Sequence, residues 1–150
     1  MSDKITIIKN INIITMNNNK DIIENGIVAY KNNKIIYVGN KNIYENEDNI
    51  EVIDGEDGIL MPGMINCHTH VSMVPFRSLA DDYKDRLKRY LFPLEQRLVD
   101  KKLTYIGAKY GIAEMLLGGV TTFCDMYYFE DEVAKASEEM GISCKGSKGT

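Results

Sequence analysis

Apolar and polar positions alternate at the start of the chain, where KITIIKNINIITM sets Ile among Lys, Thr and Asn. Alternation of this kind belongs to half-buried strands, and it predicts one or two of them here. The stretch IIENGIVAY follows, with Gly26 as a break. Next, KNNKIIYVGN sets Asn32-Asn33 as a turn before the run Ile35-Ile36-Tyr37-Val38. Apolar runs punctuated by Asn and Gly read as hairpins. Tyr44 to Asp57 is acidic and carries Val52-Ile53 as a further short strand. The pattern changes at Gly58. Gly58 to Asn66 is apolar and turn-bounded, as a strand buried on both faces of a parallel sheet would be. It runs into Cys67-His68-Thr69-His70.

Beyond this point the period lengthens. A mostly polar helix is expected from Asp82 to Leu91, ending before Pro93. A stronger helix is expected over Lys101 to Leu117, where Leu103, Ile106, Tyr110, Ala113 and Leu117 recur at steps of three and four. Gly118-Gly119 closes it. Val120 to Met126 reads as a second buried strand, Asp131 to Met140 as a short helix ending at Gly141, and Ile142-Ser143-Cys144 as the start of a third strand. Residues 1–57 are therefore read as a β-rich leader. Residues 58–150 are read as strand–helix–strand–helix–strand, the order of a parallel α/β layer with right-handed crossovers.

Composition narrows the class. With 44% hydrophobic and 27% charged residues, the chain is globular rather than disordered. A net charge of −4, with Lys and Arg scattered among acids, gives no basic face for nucleic acid. No apolar run approaches the ~20 residues that cross a bilayer, so no membrane association is expected. Met1-Ser2-Asp3-Lys4 leads straight into a strand pattern, and no signal peptide is read. Three irregularly spaced cysteines, Cys67, Cys124 and Cys144, do not make a disulfide framework, which points to a reducing cytoplasm. Cys67 and Cys124 are expected to be small core residues.

His68 and His70, the only two histidines, are the candidate chemistry. Residues i and i+2 of a strand share a face, so both imidazoles can converge on one ion, about 2.0–2.1 Å from each nitrogen for zinc. H-x-H alone also occurs by chance. The surrounding residues are more specific. Met61-Pro62-Gly63-Met64-Ile65-Asn66-Cys67-His68-Thr69-His70 resembles the first-strand signature of the metal-dependent amidohydrolase superfamily. Phe76-Arg77-Ser78-Leu79-Ala80-Asp81-Asp82, Phe92-Pro93-Leu94-Glu95 and Gly118-Gly119-Val120-Thr121-Thr122-Phe123-Cys124-Asp125-Met126-Tyr127 are similar to further segments of one branch. That branch holds the methylthioadenosine/S-adenosylhomocysteine deaminases and the triazine chlorohydrolase-like enzymes.

The resemblance implies the start of a (β/α)₈ TIM-type barrel from residue 58 onward, preceded in 1–57 by part of a small composite β-sandwich. It implies one metal ion per site, Zn²⁺ or alternatively Fe²⁺, with His68 and His70 as ligands. It implies hydrolysis at a C–N bond of a cyclic amidine in a small heterocyclic substrate, or chloride release in the chlorohydrolases. Glu95 has two readings: by resemblance it contacts the ribose hydroxyls of a nucleoside, and by position it is a solvated acid in a helix's first turn. Asp125 is either behind a metal-bound imidazole or, as favoured, a structural hydrogen bonder at a strand end. The branch's usual Trp before the P-[LI]-E segment has no counterpart in the short basic stretch Tyr83 to Phe92, which counts against a purine nucleoside. The family's remaining ligands and proton shuttle lie on later strands, and a whole barrel takes ~250 residues. The polar, glycine-rich end from Cys144 to Thr150 stands where an apolar strand would run. A truncated N-terminal fragment is thus expected. It is either an enzyme piece or a non-catalytic remnant that at most binds metal weakly, with an uncovered sheet edge that promotes self-association.

Overall fold

The computed structural model describes residues 4–44 and 49–146. Met1-Ser2-Asp3, part of the acidic stretch and the end of the glycine-rich tail lie outside the described residues. By its contacts the chain divides into Met1–Pro62 and Gly63–Thr150.

The first unit is a four-stranded sheet in the order β3-β2-β1-β4. β1 (Ile5–Ile14) is one strand rather than two, with its register interrupted between Ile8 and Ile13. β2 (Ile22–Lys31) runs through Gly26 instead of breaking there, because Gly26 sits in the ladder opposite Ile11. β3 (Lys34–Gly39) returns from β2 over Asn32-Asn33, as the turn chemistry predicts, with Asn32 at φ 57°. β4 (Ile50–Leu60) is much longer than the expected Val52-Ile53 strand. It lies parallel to β1, from Ile5 opposite Ile50 to Ile13 opposite Leu60. Ile59 and Leu60 therefore belong to this sheet, not to the strand that carries the histidines. Two small apolar clusters stabilise the unit: Ile7, Ile27 and Ala29 in one, Ile11, Ile13 and Val28 in the other.

The second unit is a three-stranded parallel sheet, β5-β6-β7, with helices in the crossovers. It makes the chain as a whole a mixed α/β protein. β5 (Met64–Thr69) leads into a 3₁₀ segment, Val71–Phe76. The expected helix over Asp82 to Leu91 is instead a series of turns with one π-helical stretch, Leu87–Leu91. α1 (Phe92–Leu98) starts where the helix was expected to end. Pro93 explains this: in the first turn of a helix its missing N–H has no partner to lose and its φ is already helical. α2 (Lys101–Leu117) has the expected bounds. Asp100 caps it, accepting the Leu103 N–H at 2.7 Å. β6 (Val120–Asp125), α3 (Glu130–Met140) and β7 (Ser143–Gly146) follow. Their core is Val71, Ala108, Ile112, Phe123, Val133, Ala136 and Ile142. Among the described residues no helix is long and apolar enough to cross a membrane.

α2 presents an unexpected face to this core. Thr104, Gly107, Ala108, Gly111 and Ile112 are its buried residues. Ile106, Tyr110 and Leu117, from the stripe expected to pack, are exposed, Leu117 at 91%. Small residues allow close approach: a Cβ on Gly107 would stand 2.5 Å from the Ser72 carbonyl oxygen. Ser72 Oγ in turn donates to the Thr104 carbonyl at 3.0 Å. α2 is thereby clamped to the segment just after His70.

Candidate metal centre

His68 lies near the end of β5 and His70 just beyond it. Their ring centroids are 5.0 Å apart with planes at 73°, so the two imidazoles lie edge to face beside each other. His70 Nδ1 lies 2.5 Å from the Met126 carbonyl oxygen. A carbonyl only accepts, so Nδ1 is the ring nitrogen that carries a proton toward it, and Nε2 faces the other way. A backbone carbonyl that fixes the tautomer in this way is a common outer partner of metal-binding imidazoles.

The backbone around His70 is tied down on both sides. Asp125, 4% exposed at the end of β6, accepts the Thr69 hydroxyl at 2.5 Å and the Val71 N–H at 2.7 Å, both on Oδ1. It bonds no imidazole, which agrees with the strand-end reading; its role is to hold the residues either side of His70. Cys67 departs from expectation. It is exposed, as is Ile65 two residues before it on the same strand. Cys124 is half-buried.

Glu95, in the first turn of α1, is 6% exposed and so is not a solvated acid. Its Oε1 accepts the Tyr127 hydroxyl at 2.9 Å. Burial first, then the Glu95 carboxyl, push the Tyr127 phenol well above its usual range. His70, Glu95 and Tyr127 line one cleft of about 480 Å³, with Leu91, Phe92 and Tyr128 among its apolar walls. Tyr127 was not singled out as a site residue in the sequence. The only available signal was its place after the Asp-Met pair at the end of a strand. The stretch Tyr83 to Phe92 holds no Trp, but its last residue, Phe92, lines this cleft together with Tyr127 and Tyr128. Among the described residues no group of three or more His, Cys, Asp or Glu side chains assembles around a metal position.

The parallel sheet carries its two histidines at and just beyond the end of its first strand, and comparison supplies the family. Residues 59–150 match the model of the amidohydrolase family, and the chain belongs to that family. It is 41% identical over 152 aligned residues to 5-methylthioadenosine/S-adenosylhomocysteine deaminase from Carboxydothermus hydrogenoformans, covering 99% of this chain and 34% of that protein. It is 40% identical over 144 residues to 5'-deoxyadenosine deaminase from Methanobrevibacter smithii, covering 95% and 32%. Among solved structures, a zinc-bound adenosine deaminase from Xanthomonas campestris superposes with a TM-score of 0.86 at 26% identity, covering 93% and 32%. A zinc-complexed atrazine chlorohydrolase from Arthrobacter aurescens TC1, at TM-score 0.80 and 21% identity over 95% and 35%, shares the fold. The chain spans about a third of the length of each of these proteins.

Proposed function

We propose that this chain carries the first βα units of a (β/α)₈ hydrolase barrel, preceded by part of a composite β-sandwich, and that His68 and His70 are two ligands of one zinc ion. The observation that carries the reading is that His70 and Glu95, far apart in sequence, line the same cleft. The donor set fits zinc. Imidazole nitrogens are suitable ligands, and the Nδ1–H of His70 directs its Nε2 away from the Met126 carbonyl. Ferrous iron accepts the same donors. When bound, such an ion would supply Lewis acidity to a hydrolytic reaction.

The remaining roles fall to the chain's own side chains. Glu95 offers carboxylate oxygens to hydroxyl donors such as those of a ribose. Phe92 and Tyr128 offer apolar surface to a flat heterocycle, which favours a nucleoside over the reading from Tyr83 to Phe92 alone. The reaction proposed is hydrolytic release of ammonia from a cyclic amidine, as in the adenine nucleosides named in the relatives' descriptions. Chloride release from a triazine remains the alternative within the family. A second reading has one observation in its favour: with two metal donors among the described residues, the chain binds metal weakly and turns nothing over.

The test pairs zinc titration calorimetry with ammonia release from 5'-methylthioadenosine, on the wild type, His68→Ala and His70→Ala. Binding of one zinc ion, lost in both variants, is expected. Turnover lost with it supports the deaminase reading. Histidine-dependent binding without turnover selects the second reading. Zinc binding unchanged in both variants overturns the ligand assignment.

A further inference from the structure

Met126 and Tyr127, the two residues that follow β6, engage the two polar side chains that the motifs mark in the cleft. The Met126 carbonyl takes His70 Nδ1 at 2.5 Å, and the Tyr127 hydroxyl donates to Glu95 Oε1 at 2.9 Å. The Tyr127 ring lies 6.0 Å from the His70 imidazole, centroid to centroid, with the planes at 39°. Its other contacts hold it in place: the Tyr128 ring stands edge-on to it at 5.0 Å, and its own N–H donates to Glu130 Oε1 at 2.5 Å. One ring thus bridges a candidate metal ligand and a carboxyl from 32 residues earlier in the chain.

Glu95 has use for such a partner. It stands in the first turn of α1, a seven-residue helix that follows a π-helical stretch. The helix sets its backbone, but the side-chain torsions still decide where the carboxyl lies. At 6% exposure, little water reaches it to orient it. With Oε1 held by the phenol, the plane of the carboxyl is set, and the direction of Oε2 with it. The two oxygens of a carboxylate carry about four lone-pair sites, so one phenol leaves room for further donors. Tyr127 lines the cleft as Glu95 does, so the bond lies in the cleft wall and not in the core behind it.

We infer that Tyr127 is a positioning residue: it acts through Glu95, holding Oε1 so that the rest of the carboxyl meets the vicinal hydroxyls of a bound sugar. This rests on the reading of Glu95 as an acceptor of sugar hydroxyls. A carboxyl fixed beforehand loses less rotamer freedom when the ligand arrives, and affinity rises accordingly. The gain is confined to ligands that bring hydroxyls for Glu95 to accept. A ribonucleoside benefits from Tyr127, whereas a nucleoside lacking both hydroxyls does not.

The test measures binding of adenosine and of 2',3'-dideoxyadenosine by the chain with metal chelated, so that no turnover intervenes. The wild type is compared with Tyr127→Phe, Glu95→Ala and the double variant. Tyr127→Phe keeps the ring beside His70 and Tyr128 and removes only the hydroxyl. It is expected to weaken adenosine about three- to tenfold and to leave dideoxyadenosine unchanged. In the Glu95→Ala background the same substitution should alter neither affinity. A second measurement needs no ligand: the side-chain scalar couplings of Glu95, read by NMR, should report one rotamer in the wild type and averaging in Tyr127→Phe. Adenosine affinity unchanged in Tyr127→Phe, equal weakening of both nucleosides, an effect that survives without Glu95, or unchanged Glu95 couplings overturns the inference. A wild type that binds neither nucleoside, or both alike, while the Glu95 couplings shift as expected supports the positioning of the carboxyl and overturns the sugar-hydroxyl reading of Glu95 instead.

Discussion

His70 owes its geometry to residues that are not themselves candidate ligands. Met126 fixes its tautomer, Asp125 holds its two neighbours, and Tyr127 stacks obliquely at 6.0 Å while reaching across to Glu95. Tyr127→Phe removes the hydroxyl that Glu95 Oε1 accepts and keeps the ring. A hydrogen bond to a buried carboxyl contributes ~1.5–3 kcal/mol, so urea denaturation should show a loss in that range. The pH dependence has a definite sign. The folded phenol ionises above its unfolded value of about 10, so the folded state holds the proton longer. That contribution is complete below about pH 10 and is lost as the pH rises past it. Tyr127→Phe should flatten this alkaline fall; an unchanged slope above pH 10 counts against the Tyr127–Glu95 bond. At this scale the sequence was uneven. His68, His70 and Glu95 stand in recognisable motifs. Tyr127 was not marked in this way, because a tyrosine just past a strand end is ordinary, and only its hydroxyl on the buried Glu95 sets it apart.

Among the elements, α2 is the most legible and also the most misleading. Its bounds follow from the periodicity, the Gly118 stop and an Asp100 cap that the motif reading passed over. Its packed face does not follow, because the helix is apolar on more than one side. The large residues Ile106, Tyr110 and Leu117 are exposed, whereas the close approach to the 3₁₀ segment is at Gly107 and Gly111. β4 was hidden for a different reason. Its length comes from pairing in parallel with β1 on both sides of an irregularity between Asp54 and Gly58, a long-range partnership that local pattern cannot display. Gly107→Ala tests the packing of α2. Alanine favours helix by ~1 kcal/mol, but a methyl group 2.5 Å from the Ser72 carbonyl overpacks the contact at a cost of ~1–3 kcal/mol. The net expectation is a lower urea midpoint together with weaker zinc binding, since Ser72 follows His70 closely. A stabilised variant would show that α2 and this segment separate freely.

The whole molecule leaves much apolar surface exposed in each unit taken alone. In the first, Ile35 and Val38 of β3 and Ile53 and Ile59 of β4 are open, and both are edge strands. In the second, Met64 and Ile65 of the edge strand β5 are open, as are Ile106, Tyr110 and Leu117 of α2. Unpaired edges with exposed Ile and Met are templates for pairing with another chain, and patches of this kind are uncommon on monomers. The net charge of −4 opposes association, but salt screens it over about 10 Å at 0.1 M. Self-association of the 150-residue chain is therefore expected, and it should strengthen as salt is raised, because screening removes repulsion while hydrophobic contact remains. Light scattering across a concentration and salt series measures this directly. Edge pairing and helix-face contact are separable: Ile65→Lys should weaken the first, and Leu117→Lys the second. A monodisperse monomer at all salt concentrations would mean that these surfaces are covered within the chain itself.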